Sequence, residues 1–150
     1  MTLNAQFATA FGIGRIPYAP GTAASFIALI LAVPVMMLTG WIGMALLAIA
    51  TSVAGVWFSD AYAAEINTND PGDCVIDEFA GQWLACAFAP LSPVGFFLAF
   101  VLFRLFDVAK PWPVSKAETL QGGFGIMADD IVAGLIAGVV VFLVSFSGFL

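Results

Sequence analysis

The residues able to do chemistry in this chain are few, and they are bunched. Asp77 and Glu78 stand side by side, directly ahead of the apolar run Phe79-Ala80-Gly81-Gln82-Trp83-Leu84. A second pair, Asp129-Asp130, stands ahead of the apolar run that begins at Ile131. An acid entering an apolar helix is costly to keep ionised without a partner. Complementing a helix N-terminal dipole explains one such carboxylate better than two adjacent ones, and Asp129 has the further reading of an N-cap for a helix starting at Ile131. Two acidic pairs at one membrane face invite a divalent cation between them. Hard oxygen donors of this kind suit magnesium, which is held by few carboxylates together with substrate phosphate. Asp77, Glu78, Asp129 and Asp130 are therefore the candidate metal ligands.

A third polar stretch reads Arg104-Leu105-Phe106-Asp107-Val108-Ala109-Lys110-Pro111-Trp112-Pro113. Arg104 and Asp107 are three apart and share a helix face, as do Asp107 and Lys110 until Pro111 ends the helix. These residues fit a juxtamembrane ion-pair cluster with Trp112 as an interfacial anchor. They equally fit an anion site in which Arg104 and Lys110 neutralise a phosphate, with Asp107 orienting them or joining the metal set. Finally, Pro20-Gly21-Thr22 leads into an apolar run, so Thr22 is a predicted N-cap. The free amides there, with the Thr22 and Ser25 hydroxyls, could receive an anion. The stretch is no P-loop, because no G-K-[ST] ending is present. The run Gly122-Gly123-Phe124-Gly125 allows close backbone approach or a tight turn.

Absences narrow the chemistry. The chain has no histidine, which removes histidine-nucleophile phosphatases. No arginine follows Cys74 or Cys86 at the spacing of thiol-dependent phosphatases, and no Asp-x-Asp signature is present. Carboxylates, a metal and water remain, and in that chemistry the metal polarises a phosphoryl group. Ten acids against four bases argue against nucleic acid as a partner.

The elements that must position these groups are membrane helices. Hydrophobic residues make up 62% of the 150, and charged residues 9%; mean hydropathy is +1.06. A water-facing domain carries about 25% charged residues, so lipid must solvate most of this chain. A span takes about 20 apolar residues, and roughly 17–25 will serve. Ala23 to Thr39, Trp41 to Phe58 and Ile131 to Leu150 qualify, with Gly40 as the turn between the first two. Between them, Ala89-Pro90-Leu91-Ser92-Pro93 interrupts an uncharged stretch. A helical hairpin is predicted there, Val75 to Ala89 and Val94 to Phe106, against the alternative of one kinked crossing. With the hairpin, Arg15, Arg104, Lys110 and Lys116 all fall on one side, as the positive-inside tendency favours. The N-terminus lacks the basic n-region and cleavage site of a signal peptide. The expectation is one all-α domain over residues 1–150: a multi-span membrane bundle of about three full spans plus a short hairpin, its active site at one membrane face, cytoplasmic in orientation. Gly134-x-x-x-Gly138 would close-pack helices within the chain or between copies.

GIGRIPYAPGTAAS, DPGDCVIDEFAGQ, FRLFDVAKPWP and GGFGIMADDIVAG, taken in this order, resemble the phosphatidylglycerophosphatase A family over essentially the whole chain. The resemblance implies magnesium-dependent hydrolysis of phosphatidylglycerophosphate to phosphatidylglycerol in the bacterial inner membrane. It places Asp70, Asp77, Glu78, Asp107, Asp129 and Asp130 on the family's acidic positions, and Arg104 and Lys110 on its basic ones. It places Pro20, Gly21, Thr22 and Ser25 on the loop that leads into the first span. Ala24 stands where the family often has glycine. From the residues alone, a metal-assisted lipid phosphatase acting on another lipid phosphate and a non-enzymatic cation transporter remain as rivals. A transporter predicts acids spread through the depth of the spans, whereas here they cluster at one mouth.

Overall fold

The computed structural model describes residues Met1–Leu150 and is all-helical, with no strand. Its elements are α1 (Leu3–Ala8), a 3-10 turn (Ile13–Arg15), α2 (Pro20–Glu65), α3 (Ile76–Phe88), α4 (Pro93–Ala109), α5 (Val114–Ala117) and α6 (Gly122–Ser145). Gly40 divides α2. Its φ of 67° and ψ of −169° are not helical, and glycine reaches such a conformation without the Cβ penalty that other residues meet. The two arms, 20–39 and 41–65, therefore fold back on each other at the predicted turn.

The predicted hairpin is present as α3 and α4, joined through Ala89–Ser92, and one kinked helix is not. Ser92 caps α4 by accepting the Gly95 N–H at 3.0 Å, and Pro93 occupies the first turn, where its missing N–H is harmless. Gly81 of α3 abuts Phe103 of α4 and the backbone of Asp130, which sets α3 against both later helices. α3 runs parallel to α6, with Gly81 against Gly134 and Phe88 against Gly138. Trp83 Nε1–H donates to the Ala28 carbonyl at 2.9 Å, which ties α3 to the first arm of α2.

The bundle places small residues inside and large apolar ones outside. Ala24, Ala28 and Ala32, four apart, are fully buried, as are Ala133 and Ala137. On the outer surfaces Ile42, Leu46, Ile49, Val53 and Trp57 form one exposed stripe, and Val94, Phe97, Val101, Leu105 and Val108 another. Small residues at helix contacts and bulky ones outward is the arrangement lipid favours, because lipid tails solvate leucine as well as another helix does. Two helices, Pro20–Glu65 and Gly122–Ser145, are long and apolar enough to cross a membrane, in keeping with the membrane protein that the composition implies. The Gly134/Gly138 pair close-packs within the chain: a Cβ on Gly134 would overlap the Gly81 carbonyl, and one on Gly138 would press into the Phe88 ring.

Several boundaries differ from expectation: the second arm of α2 runs to Glu65 rather than stopping at Phe58, and α4 runs to Ala109 rather than Phe106. α2 starts at Pro20, capped by Ala19 without a side-chain bond, so Thr22 is not an N-cap. It sits in the first turn with its side chain exposed, because the proline ahead of it already supplies a helical φ. α6 starts at Gly122 rather than Ile131, so Asp129 caps nothing and lies two turns inside the helix. The last helix also ends at Ser145, leaving Phe146–Leu150 beyond it.

Candidate functional site

One end of the bundle gathers the first turn of α3, the last turns of α4, the early turns of α6 and the loop after α2. Between them lies a polar cavity of about 970 Å³. Eight acids line it: Asp60, Asp70, Asp77, Glu78, Asp107, Glu118, Asp129 and Asp130. Lys110 is the one base among the lining residues. Asp60 and Glu118 belong to none of the acidic motifs visible in the sequence; the one signal for Asp60 is that an acid interrupts the 41–65 arm five residues before Glu65 ends it.

Helix starts explain the placements. Asp77 and Glu78 fall in the first turn of α3, and the Asp77 carboxylate accepts the Glu78 N–H at 3.1 Å. Within α6, Asp129 accepts the Asp130 N–H at 3.0 Å. Two clusters follow. Carboxylate oxygens of Asp77, Glu78 and Asp130 lie within 4.8 Å of one another, as do those of Asp107, Asp129 and Asp130. Asp130 belongs to both and is only 3% exposed. Its second oxygen and one oxygen of Glu78 are buried with no hydrogen-bond partner.

Unpartnered buried carboxylate oxygens are costly to desolvate, and an all-oxygen donor set is the kind that hard divalent cations take. The residues present therefore fit a bound cation. The four acids expected to hold it are divided between the two groups, Asp77 and Glu78 in one and Asp129 in the other, with Asp130 common to both and Asp107 joining the second.

The bases behave differently from one another. Arg104 pairs with Asp107 on the shared face of α4 and lies 4.0 Å from Glu78; it does not line the cavity. Lys110 does line it, but it does not pair with Asp107. The residue takes a left-handed conformation at the end of α4, φ 47°, which swings its ammonium away from the helix face. It contacts Asp129 at 2.9 Å and Glu118 at 2.6 Å. Burial works against its charge, and the two carboxylates outweigh this and hold its pKa above the ordinary lysine range.

The loop leading into the first span is also set apart from the cavity. Pro20, Gly21, Thr22 and Ser25 do not line it, and the Ser25 hydroxyl donates to the Gly21 carbonyl at 2.8 Å. Gly21 instead lies directly against the Glu78 carboxylate, with the Arg104 guanidinium beside it. Asp70 lines the outer wall on the loop after α2, and that loop is held by Asp73, which accepts from the Tyr62 hydroxyl at 2.8 Å and faces Arg15 at 3.6 Å. Gly123 is closed against Val56, its N–H donating to Asp60 at 3.0 Å. Cys74 also lines the cavity wall, but burial and then the Glu78 charge push its thiol up to about 12, so it stays protonated.

Fold and site together define an all-helical membrane protein with an acid-rich, cation-compatible cavity at one end of its bundle. The family model for phosphatidylglycerophosphatase A matches residues 6–145. A Haemophilus influenzae protein named phosphatidylglycerophosphatase A is 37% identical over 93% of this chain and 86% of its own length. Its Escherichia coli namesake is 36% identical over 91% of this chain and 80% of its own length. A Bacteroides thetaiotaomicron protein, provisionally named a phosphatidylinositol-3-phosphatase, is 34% identical over 85% of this chain and 84% of its own length. No solved structure matches. The chain belongs to the phosphatidylglycerophosphatase A family and is a phosphatase.

Proposed function

We propose that this chain removes the terminal phosphate of phosphatidylglycerophosphate, giving phosphatidylglycerol and inorganic phosphate, with magnesium, in the bacterial inner membrane. The observation that carries the reading is the cavity itself, eight carboxylates and one base at the end of an apolar bundle. An anionic phosphate cannot enter so negative a site unless cations come with it. The names of the Haemophilus and Escherichia relatives support the choice of substrate.

Residues 1–150 form one domain in this reading. The two arms of α2 and α6 cross the bilayer, and α3 and α4 form an embedded hairpin. At 1.5 Å per residue, the 24 residues of α6 reach roughly 36 Å and the 13 of α3 only about 20 Å, so the hairpin stops short of a full crossing. Arg104, Lys110 and Lys116 lie with Arg15 toward the cavity end, and the positive-inside tendency supports a cytoplasmic orientation for that end.

Asp77, Glu78 and Asp130 on one side, and Asp107, Asp129 and Asp130 on the other, would hold a divalent cation. When bound, magnesium supplies Lewis-acid neutralisation of charge on the phosphoryl oxygens. Lys110 adds a fixed positive charge on the cavity wall for the incoming phosphate. Arg104 keeps Asp107 and Glu78 in place and compensates their charge. In the hydrolysis, a water oxygen bonds to phosphorus and the bond from phosphorus to the glycerol oxygen breaks. Asp77 or Asp130 takes the water proton, and that proton passes on to the leaving glycerol oxygen.

The test is phosphate release by the purified full chain in detergent, with phosphatidylglycerophosphate, phosphatidate and phosphatidylinositol 3-phosphate offered separately, with and without magnesium. Preference for phosphatidylglycerophosphate that disappears on chelation is expected. Equal or better turnover of another lipid phosphate would reassign the substrate, and full activity in both Asp77→Asn and Asp130→Asn would remove the acidic site from the mechanism.

A further inference from the structure

Next to the acidic cavity lies a smaller hollow of about 290 Å³ that opens on the outer surface between α2 and α6. It shares Asp60, Gln121 and Gly122 with the cavity, so the two spaces adjoin. Its floor is the contact in which Gly122 and Gly123 close on Val56 and Asp60, where any side chain at either glycine would collide. Asp60 is pinned at this threshold by the Gly123 N–H. Its walls are Trp57, 73% exposed, and Phe124, 68% exposed. They stand on different helices, and neither is needed to fill the core.

The exposed stripe Ile42, Leu46, Ile49, Val53 ends at Trp57. An acyl chain lying along the lipid-facing side of α2 would therefore be led to this hollow. A diacyl lipid phosphate needs two adjoining environments: charge-compensated polar space for the phosphate, and apolar space for the start of its tails. The tails cannot follow the phosphate into a cavity lined by carboxylates without leaving apolar surroundings.

We infer that the Trp57–Phe124 groove is the lateral port of the active site, holding the junction between glycerol and acyl chains while the phosphate occupies the cavity. The inference rests on the lipid-phosphatase reading above. Trp57 and Phe124 then determine preference for a long-chain lipid over the bare headgroup, and they do so without touching the reacting atoms.

The test uses the full chain in mixed micelles with two substrates, dioleoyl phosphatidylglycerophosphate and the same headgroup on two-carbon acyl chains. The Trp57→Ala, Phe124→Ala double variant is expected to lose about tenfold in kcat/KM for the dioleoyl lipid, carried by KM, as lost apolar contact would give. Turnover of the short-chain substrate stays within twofold. Trp112→Ala, equally exposed but outside the groove, is expected to leave both substrates unchanged. An unaltered long-chain preference in the double variant, or equal loss on both substrates, overturns the port. A second measurement needs no variant. A non-hydrolysable lipid phosphate with a diazirine beside the ester carbonyl should label peptides carrying residues 56–61 and 121–124 of the wild-type chain, and labelling confined to α4 overturns the port as well. Failure of the wild-type chain to hydrolyse any lipid phosphate would instead overturn the function on which the port rests.

Discussion

Replacing Gly21 by alanine separates a positioning role for this residue from a direct role in binding phosphate. The added Cβ would overlap the Glu78 carboxylate, while the other near neighbour is the Arg104 guanidinium. Both are side-chain ends rather than backbone, so the helices need not part. Instead the Glu78 carboxylate must withdraw by about 1 Å to reach ordinary contact distance, and a displacement of that size in a catalytic group costs on the order of 100-fold in rate. At about 1.4 kcal/mol per tenfold, this is about 2.8 kcal/mol of transition-state stabilisation. Gly21→Ala is expected to lower kcat/KM for the lipid by about that factor and to weaken the magnesium dependence, with a thermal midpoint close to wild type. Glu78→Asp in the same chain shortens the acid by one methylene and removes the overlap. The double variant should therefore be more active than Gly21→Ala multiplied by Glu78→Asp would predict, which is a positive coupling in a double-mutant cycle. Phosphate release and magnesium titration in one detergent buffer measure both quantities. Activity of Gly21→Ala within threefold of wild type, or strict additivity in the cycle, would refute the contact.

Asp130 belongs to both acidic clusters, so Asp130→Asn should cost more than the same change at Asp107 or Asp129, with a loss on the order of 1,000-fold in kcat and a higher magnesium requirement; the three variants compared at saturating magnesium decide it. Lys110→Met removes the base from the cavity wall and leaves Asp129 and Glu118 facing each other uncompensated; KM should rise about tenfold, and Glu118→Gln should move it much less. Cys74 keeps its proton at neutral pH because burial pushes its thiol up to about 12; maleimide or iodoacetamide at pH 8 should leave activity intact, and Cys74→Ser should remain active, whereas rapid inactivation by alkylation would contradict this. Gly134→Val drives a branched side chain into the Gly81 carbonyl, a backbone atom that cannot swing aside; the bundle should lose about 3 kcal/mol or fail to assemble, read as a fall in thermal midpoint or in monodisperse yield.

Composition and hydropathy alone mark a membrane protein, because 62% hydrophobic residues with 9% charged cannot coat a water-facing surface. Local chemistry likewise makes Gly40 a turn and Pro90–Pro93 the bend of a hairpin, since both depend on backbone preferences carried by single residues. The Arg104–Asp107 pair was equally legible, as three residues along a helix fix their common face. Helix starts were less so. Pro20 and Gly122 begin α2 and α6 earlier than hydropathy suggests, because a polar residue inside a helix breaks an apolar run without breaking the helix. Hence Asp129, which reads as a capping residue in the sequence, lies two turns inside α6 with Asp130 beside it. Tertiary structure alone decided which acids meet. Asp77, Glu78, Asp107 and Asp130 come from three helices, and their proximity depends on glycines at 81 and 134 that let α3 and α6 approach. It also set the direction of Lys110, whose left-handed backbone turns it from Asp107 to Asp129 and Glu118. Side-chain types and periodicity are written locally along the chain, whereas the meeting of distant carboxylates follows from the fit of one helix surface against another.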